Sequence, residues 1–432
     1  MLAKSLLGSD ADLLRERDFR ALLAANLLAP LGIPLVSPLL ESLSGPFGVS
    51  TARLGLLISA YTAPPILLIP VAGVLADRYG RKPVLLAGIL LFGAAGTAIA
   101  FTTDFRVAVA LRFVQGVAYA GLTPVIVTSL GDLYAGSREA SAQGLRFTTS
   151  GLYQSVFPPA AGVLVAVAWQ YPFLIYALAF PVAGAVYLWF DEPLDRDGER
   201  TDGGSTADDP DGATDAPPDA DADDGLWALA RLATRRRVVA LVVARGLPSL
   251  AWTGFLTYNS FFVVRAIGGS PAAAGVLVTV NSAMLAVGGS QAGRITSAWD
   301  SRFLPLVVTT TGLGCGLALI AVAPSLPVAA AGAALLGVSF GVSLSLYRSV
   351  VTGIAPQALR GGLVSVSESV GRAGSTLTPV GMGAVVAVLA PTYGVVAAVR
   401  WTAVGVGALV AAVGCLCLVV ARLSPPTPAE AS

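Results

Sequence analysis

The sequence predicts an all-α membrane protein with twelve transmembrane helices in two pseudo-symmetric six-helix bundles. Three observations carry that expectation. Apolar runs of spanning length recur from end to end, charge is scarce and gathered between them, and one acidic segment divides the runs six and six. Of 432 residues, 55% are hydrophobic and 12% are charged, about half the charged share of soluble domains. The mean hydropathy is +0.75.

A helix that crosses the hydrocarbon core needs about 20 mostly apolar residues. Such runs lie near residues 20–43, 54–76, 83–103, 106–130, 142–168 and 172–190, then near 238–263, 272–293, 303–323, 327–352, 361–389 and 393–420. Glycine and proline inside them are tolerated, because neighbouring helices can satisfy the freed backbone groups. The opening MLAKSLLGSDADLLRERDFR is too charged and interrupted for a cleaved signal, so the first run is expected to remain as a helix.

Residues 191–225 are rich in Asp, Pro and Gly and too poor in apolar side chains to order themselves. They hold 14 of the 26 acidic residues and two of the 27 basic ones, Arg196 and Arg200, leaving 25 basic against 12 acidic elsewhere. The near-neutral total thus conceals a basic membrane body and an acidic tether. The following LWALARLATRRR reads as a basic amphipathic helix on an anionic leaflet. The expected organisation is a bundle over 1–190, a disordered linker plus amphipathic segment over 191–237, and a second bundle over 238–432.

Orientation follows from the distribution of Lys and Arg. With both termini in the cytoplasm, the inner segments collect eighteen basic residues and the outer loops three, Arg53, Arg106 and Arg265. A multi-pass protein of the cell membrane with cytoplasmic termini is the expectation. There is no histidine, which removes imidazole metal sites and histidine proton relays. Cys315, Cys415 and Cys417 lie in apolar runs without zinc-like spacing. No nucleotide-binding loop, cofactor site or nucleophile–base set can be assembled, so neither an enzyme nor a nucleic-acid binder is expected.

The halves repeat. Ser50 and Gly55 match Ser270 and Gly275 at an offset of 220, and Ala72 and Gly73 match Ala292 and Gly293 at the same offset. Gly116 matches Gly337 at 221, and Arg138 matches Arg360 at 222. The near-constant offset points to two parallel six-helix repeats with a shared cavity near the bilayer midplane.

Between the second and third runs lies Gly73-Val-Leu-Ala-Asp-Arg-Tyr-Gly-Arg-Lys82, with four charges in ten residues. Its glycines permit tight turning, Asp77 suits a helix N-terminus, and Arg81 and Lys82 can pair with an acidic group such as Asp132. The same charges can equally serve topology alone. The stretch resembles the loop 2–3 signature of the major facilitator superfamily, G-x-L-x-D-R-x-G-R-K. Arg112, Gln115 and Gly116 in LRFVQG resemble the family's R-x-x-Q-G signature. With the twelve runs and the central linker, the resemblance covers nearly the whole chain.

The resemblance implies a transporter whose Gly73, Asp77, Arg78, Gly80, Arg81, Lys82 and Asp132 form a cytoplasmic gate. Asp77 would face the start of the eleventh helix near Gly361, and Arg81 would pair with Asp132. The second-half counterpart AGRITSAWDSR keeps Gly293 and Arg302 but has Ser297 where Asp77 sits, so any latch there is expected to be weaker. The antiporter signature of the fifth helix is degraded to Gln154-Ser-Val-Phe-Pro-Pro-Ala-Ala-Gly162. A closer echo is Gly374-Ser-Thr-Leu-Thr-Pro-Val-Gly381 in the eleventh.

Ionisable residues inside spans are costly and usually face a cavity or each other. Here they are Glu41, Arg112, Arg146, Arg245, Arg348, Glu368, Arg372 and Arg400. Glu368 and Arg372 are four apart and share a helix face. They read either as a self-neutralised pair or as a substrate anchor, Arg372, beside a proton-titratable partner, Glu368. Arg112 and Gln115 serve either coupling or packing. The family's cavity-lining helices favour Tyr119, Trp252 and Tyr347 among other polar candidates, Asn26, Tyr258, Asn259, Asn281 and Ser343. The expected function is alternating-access transport of a small organic solute, proton- or ion-coupled, by a monomer in the lipid bilayer. An anionic or polar substrate is favoured by the excess of arginines; multidrug efflux and a non-transporting membrane sensor are the alternatives.

Overall fold

The computed structural model describes residues 8–192, 231–298, 303–356 and 359–425. The acidic segment beyond Glu192, the first five residues of the amphipathic stretch (226–230) and Arg302 therefore lie outside the described residues. Eleven helices and one bent pair account for the twelve predicted spans. They are α1 (Arg17–Leu31 and Ile33–Phe47), α2 (Thr51–Tyr79), α3 (Arg81–Phe101), α4 (Phe105–Leu133), α5 (Gly136–Val167), α6 (Tyr171–Trp189), α7 (Arg236–Ala266), α8 (Pro271–Ile295), α9 (Phe303–Val322), α10 (Leu326–Ile354), α11 (Arg360–Tyr393) and α12 (Val395–Leu423). No strand occurs among the described residues. The α2–α3, α4–α5 and α10–α11 links mark the arginine-rich end of the molecule; the opposite end is here called the far end.

Proline shapes the first two helices. Pro30, Pro34 and Pro38 each remove a backbone donor one turn apart, and α1 bends by 44° at Gly32. In α2, Pro64 and Pro65 cannot donate to the carbonyls of Ala60 and Tyr61. Beside these breaks, α4 adds side-chain donors to backbone carbonyls of the neighbouring helices, where an apolar interior offers no water. Arg112 donates from Nε to the Leu57 carbonyl at 3.1 Å and from Nη2 to the Gly32 carbonyl at 3.1 Å. Its Nη1 donates to Gln115 Oε1 at 2.8 Å and to the Tyr176 hydroxyl at 3.2 Å. That hydroxyl donates in turn to the Leu31 carbonyl at 2.7 Å, and Gln115 Nε2 donates to the Phe92 carbonyl at 3.2 Å. The guanidinium also lies 4.4 Å from the Tyr61 ring centroid, a cation–π distance. Gly116 completes the arrangement, because any Cβ there would run into the Tyr61 carbonyl.

At the arginine-rich end, Tyr134 between α4 and α5 donates to Glu16 at 2.7 Å, and Arg138 pairs with the same carboxylate. Burial and the Glu16 carboxylate push the Tyr134 hydroxyl up, so it stays a neutral donor and pins the approach to α1.

The hydrophobic core is asymmetric along the membrane normal. One continuous cluster fills the first half and runs through the far ends of α7 to α12. A separate cluster around Leu241, Leu306, Leu346, Tyr347 and Leu418 fills the second half near the arginine-rich end. The two halves thus share a core at the far end and have separate ones at the other.

Arg112→Ala is expected to strand several buried groups, each costing about 1–3 kcal/mol. The check is the thermal midpoint and folded yield in detergent. Both should fall, and Arg112→Lys should not restore them, because an ammonium lacks the planar fork that reaches four acceptors.

Candidate substrate cavity and its gates

The halves meet through α2 against α11 and α5 against α8, and the two contacts are copies of one arrangement. A Cβ on Gly55 of α2 would press on Pro379 of α11, and one on Gly275 of α8 would collide with Pro158 and Pro159 of α5. Reciprocally, a Cβ on Gly383 would strike the Ala52 backbone and one on Gly162 the Pro271 backbone. Glycine is needed at Gly162, Gly275 and Gly383, where backbone lies directly on backbone, and it keeps the approach at Gly55 tight. The repeat-matched Gly55 and Gly275 are therefore partners of the proline-bearing helices. The proline and last glycine that survive from the degraded α5 signature sit in this seam.

Hydrogen bonds extend the seal inward. Ser59 donates to the Thr376 carbonyl at 2.6 Å and Thr376 to Thr62 Oγ1 at 3.0 Å. Thr279 donates to the Ser155 carbonyl at 2.9 Å and Ser282 to Gln154 at 3.2 Å. Thr62 is eleven residues from the start of α2, about 16 Å along a helix, so the closure reaches roughly the bilayer midplane. At the far rim, α1 joins α7. Glu41, almost fully buried, forms an ion pair with Arg265 at 2.6 Å and accepts from Thr51 at 3.2 Å. Ser260 donates to the Pro38 carbonyl at 2.8 Å.

The arginine-rich end is built differently. Arg81 pairs with Asp132 at 3.0 Å, as expected, and with Asp77 at 2.5 Å. Glu192, just past α6, accepts from the backbone N–H groups of Arg81 at 2.7 Å and Lys82 at 2.9 Å. Gly80, at φ 98°, turns the chain to present them. Lys82 lies over the Tyr187 ring and Arg78 over that of Tyr79. All these partners belong to the first half. The expected approach of Asp77 to α11 near Gly361 is not made: its carboxylate is held by Arg81 and is otherwise 66% exposed. Ser297 donates back to the Arg294 carbonyl of its own helix.

Beneath the seal, the charges distribute otherwise than sequence spacing suggested. Glu368 does not neutralise Arg372. It pairs across helices with Arg245 of α7 at 2.7 Å. The guanidinium of Arg245 is only 6% exposed and needs a carboxylate more than a partly exposed one does. Arg372, one turn below Thr376, makes no ion pair among the described residues. Arg146 of α5 donates from Nε to Gln143 at 3.0 Å and likewise has no carboxylate partner among them. Tyr61 and Tyr119 pack against each other with ring centroids 5.4 Å apart.

The remaining candidates divide. Trp252 is partly exposed, stacks on Phe340 with planes 3° apart, and donates to Asn281 at 3.2 Å. Tyr347 is fully buried in the second-half core and does not line a cavity. Arg112 and Gln115 are fully buried too, their donors taken by backbone and Tyr176. Asn26, Asn259, Asn281 and Ser343 bond between helices. Sequence reading passed over Arg146, Arg245 and the Glu41–Arg265 pair as partners. Each was visible as a charge inside or beside a span, but the partners of Arg245 and Glu41 lie on distant helices and Arg146 has no carboxylate partner among the described residues.

Comparison with known proteins agrees with this architecture. A family model described as Major Facilitator Superfamily matches residues 22–379. The bacillibactin exporter of Bacillus subtilis is 32% identical over 152 residues, covering 34% of this chain and 38% of that protein. Multidrug resistance protein MdtL of Shewanella oneidensis is 30% identical over 153 residues, covering 35% and 38%. The chain thus aligns with little more than a third of the length of these relatives. In fold, a bacterial homolog of the human lysosomal transporter Spinster, in an inward-facing and unoccupied conformation, superposes with a TM-score of 0.74 at 17% identity, covering 94% of this chain and 96% of that one. The nucleoside transporter NupG (D323A mutant) gives 0.71 at 13% identity, covering 92% and 99%.

Gly383→Val is expected to wedge the α2–α11 contact open. In a cysteine-free background, the labelling rate of Thr62→Cys by a charged thiol reagent from the far side should rise by about tenfold, the equivalent of about 1.4 kcal/mol. An unchanged rate would mean that the glycine contact does not hold the far end shut.

Proposed function

The chain belongs to the Major Facilitator Superfamily, and on that premise we propose that it exports an anionic or polar organic solute by alternating access. It is a multi-pass membrane transporter and not an enzyme. The observation that carries the substrate class is Arg372. Because Glu368 is committed to Arg245, Arg372 is left below the seal with a charge that no carboxylate among the described residues neutralises. Arg146 reinforces it from the other half. A cation in water is inexpensive; one held in a low-dielectric cavity attracts an anion strongly. An anchor at the bilayer midplane between repeats is where such carriers hold their solutes.

In this reading the arginine-rich end and both termini are cytoplasmic, the membrane is the cell membrane, and the arrangement described is the inward-open one. Asp77 then bonds only within its own half, to Arg81, because its second-half partner approaches only when that end closes. Glu368, 37% exposed and held by one arginine, is the group we assign to proton coupling. Arg112 and Gln115 are assigned to the scaffold, and residues 191–237 to a tether between bundles 1–190 and 238–432. That both halves and every residue assigned to the solute site lie in one chain supports a monomer. Multidrug efflux is the second reading, supported by the names of relatives such as MdtL and by the partly exposed Trp252–Phe340 stack.

A thermal-shift screen of purified protein against organic anions and lipophilic cations separates the two, because a ligand of the folded state raises its apparent stability. Anions should stabilise the wild type and Glu368→Gln, and fail to stabilise Arg372→Ala. Equal stabilisation of wild type and Arg372→Ala by lipophilic cations, with no response to anions, would establish the multidrug reading instead.

A further inference from the structure

Away from the central cavity, the far end of α12 borders a cleft of about 560 Å³, open on one side. Its walls include Val322 at the end of α9, Tyr393 and Gly394 at the α11–α12 turn, and Val395, Arg400 and Trp401 of α12. Gly394, at φ 79°, reverses the chain between the two helices. The first intrahelical bond of α12 is made by the Ala398 N–H to the Gly394 carbonyl. The N–H groups of Val395, Val396 and Ala397 therefore have no helical acceptor and carry the positive end of a long helix dipole.

Arg400 stands about 7.5 Å into α12 from that end, five residues on. Its Nε is buried without a hydrogen-bond partner, and it forms no ion pair among the described residues. Topology does not account for it, since the far side of the chain is nearly free of basic residues. Tyr393 and Trp401 flank it, both well exposed, as aromatic side chains are at the headgroup level. A guanidinium, a helix N-terminus and an apolar cleft thus converge at one depth, with no ion-pair partner for the guanidinium among the described residues.

We propose that this cleft is a binding site for a phospholipid of the far leaflet, with the phosphodiester on Arg400 and the α12 N-terminus and an acyl chain along Val322 and Val396. A phosphate supplies the oxygens that a planar fork and free backbone N–H groups require. The apolar wall and the interfacial depth select a lipid over a free anion. The site is independent of the solute cavity, since α12 takes no part in the contacts that seal the halves.

The test uses the full chain, delipidated in detergent, with phosphatidylglycerol, dioleoylglycerol (the same tails without phosphate) and inorganic phosphate as probes. Retained lipid is read by native mass spectrometry and stability by the thermal midpoint. Phosphatidylglycerol should bind and stabilise the wild type, whereas dioleoylglycerol and inorganic phosphate should not. Arg400→Gln should weaken retention by about tenfold, as for loss of one charge-assisted bond, and Arg400→Lys should recover part of it. Val396→Trp, which fills the cleft and leaves the arginine in place, should also displace the lipid. Equal retention by wild type, Arg400→Gln and Val396→Trp would overturn the proposal. So would stabilisation by inorganic phosphate alone, which would make the site one for a free anion.

Discussion

Close helix approach at four glycines is the constraint on which the rest of this architecture depends. Helices in a bilayer gain little from burying apolar surface against each other, and they associate where small residues allow close approach. Gly55 and Gly383 join α2 to α11, and Gly275 and Gly162 join α8 to α5. Such a contact has few side chains to repack when it parts. Among the described residues the hydrogen bonds around it are few, and its one ion pair, Glu41 with Arg265, sits at the rim. A seam of this kind suits a closure that must form and release repeatedly.

The interior of the first half is constructed on the opposite principle. Arg112 is wholly buried, and its partners lie on α1, α2, α4 and α6. A guanidinium in that position is tolerable only because its donors meet backbone carbonyls, an amide oxygen and a hydroxyl. The Arg81–Asp132–Asp77 cluster and the Glu192 clamp likewise stay within the half. The strongest polar interactions thus hold a six-helix unit together, and the weaker, glycine-mediated ones join it to its counterpart. That division of strengths is what the proposed alternating access requires.

Much of this was legible in the chain. Hydropathy marked all twelve spans, and the offset of 220 between Gly55 and Gly275 identified two residues that prove equivalent in space. The Arg81–Asp132 pair followed from the loop motif. The misplacements have a common cause. Residues 368 and 372 share a helix face, but spacing along one helix cannot reveal that Arg245, more deeply buried on α7, takes the carboxylate. Tyr347 sits on a helix of the cavity-lining set and yet points into the second-half core, because a uniformly apolar helix gives no sequence signal for which face meets water. Glu41 looked interfacial because its partner, Arg265, is 224 residues away.

The central claim is that the molecule is shut at the far end down to Thr376 and open below it. Sided labelling of Ser375→Cys, on the face of Arg372, tests this in reconstituted, cysteine-free protein of known orientation. A membrane-impermeant thiol reagent should react readily from the arginine-rich side and slowly from the far side. Reaction at equal rates from both sides, or faster from the far side, would contradict the account.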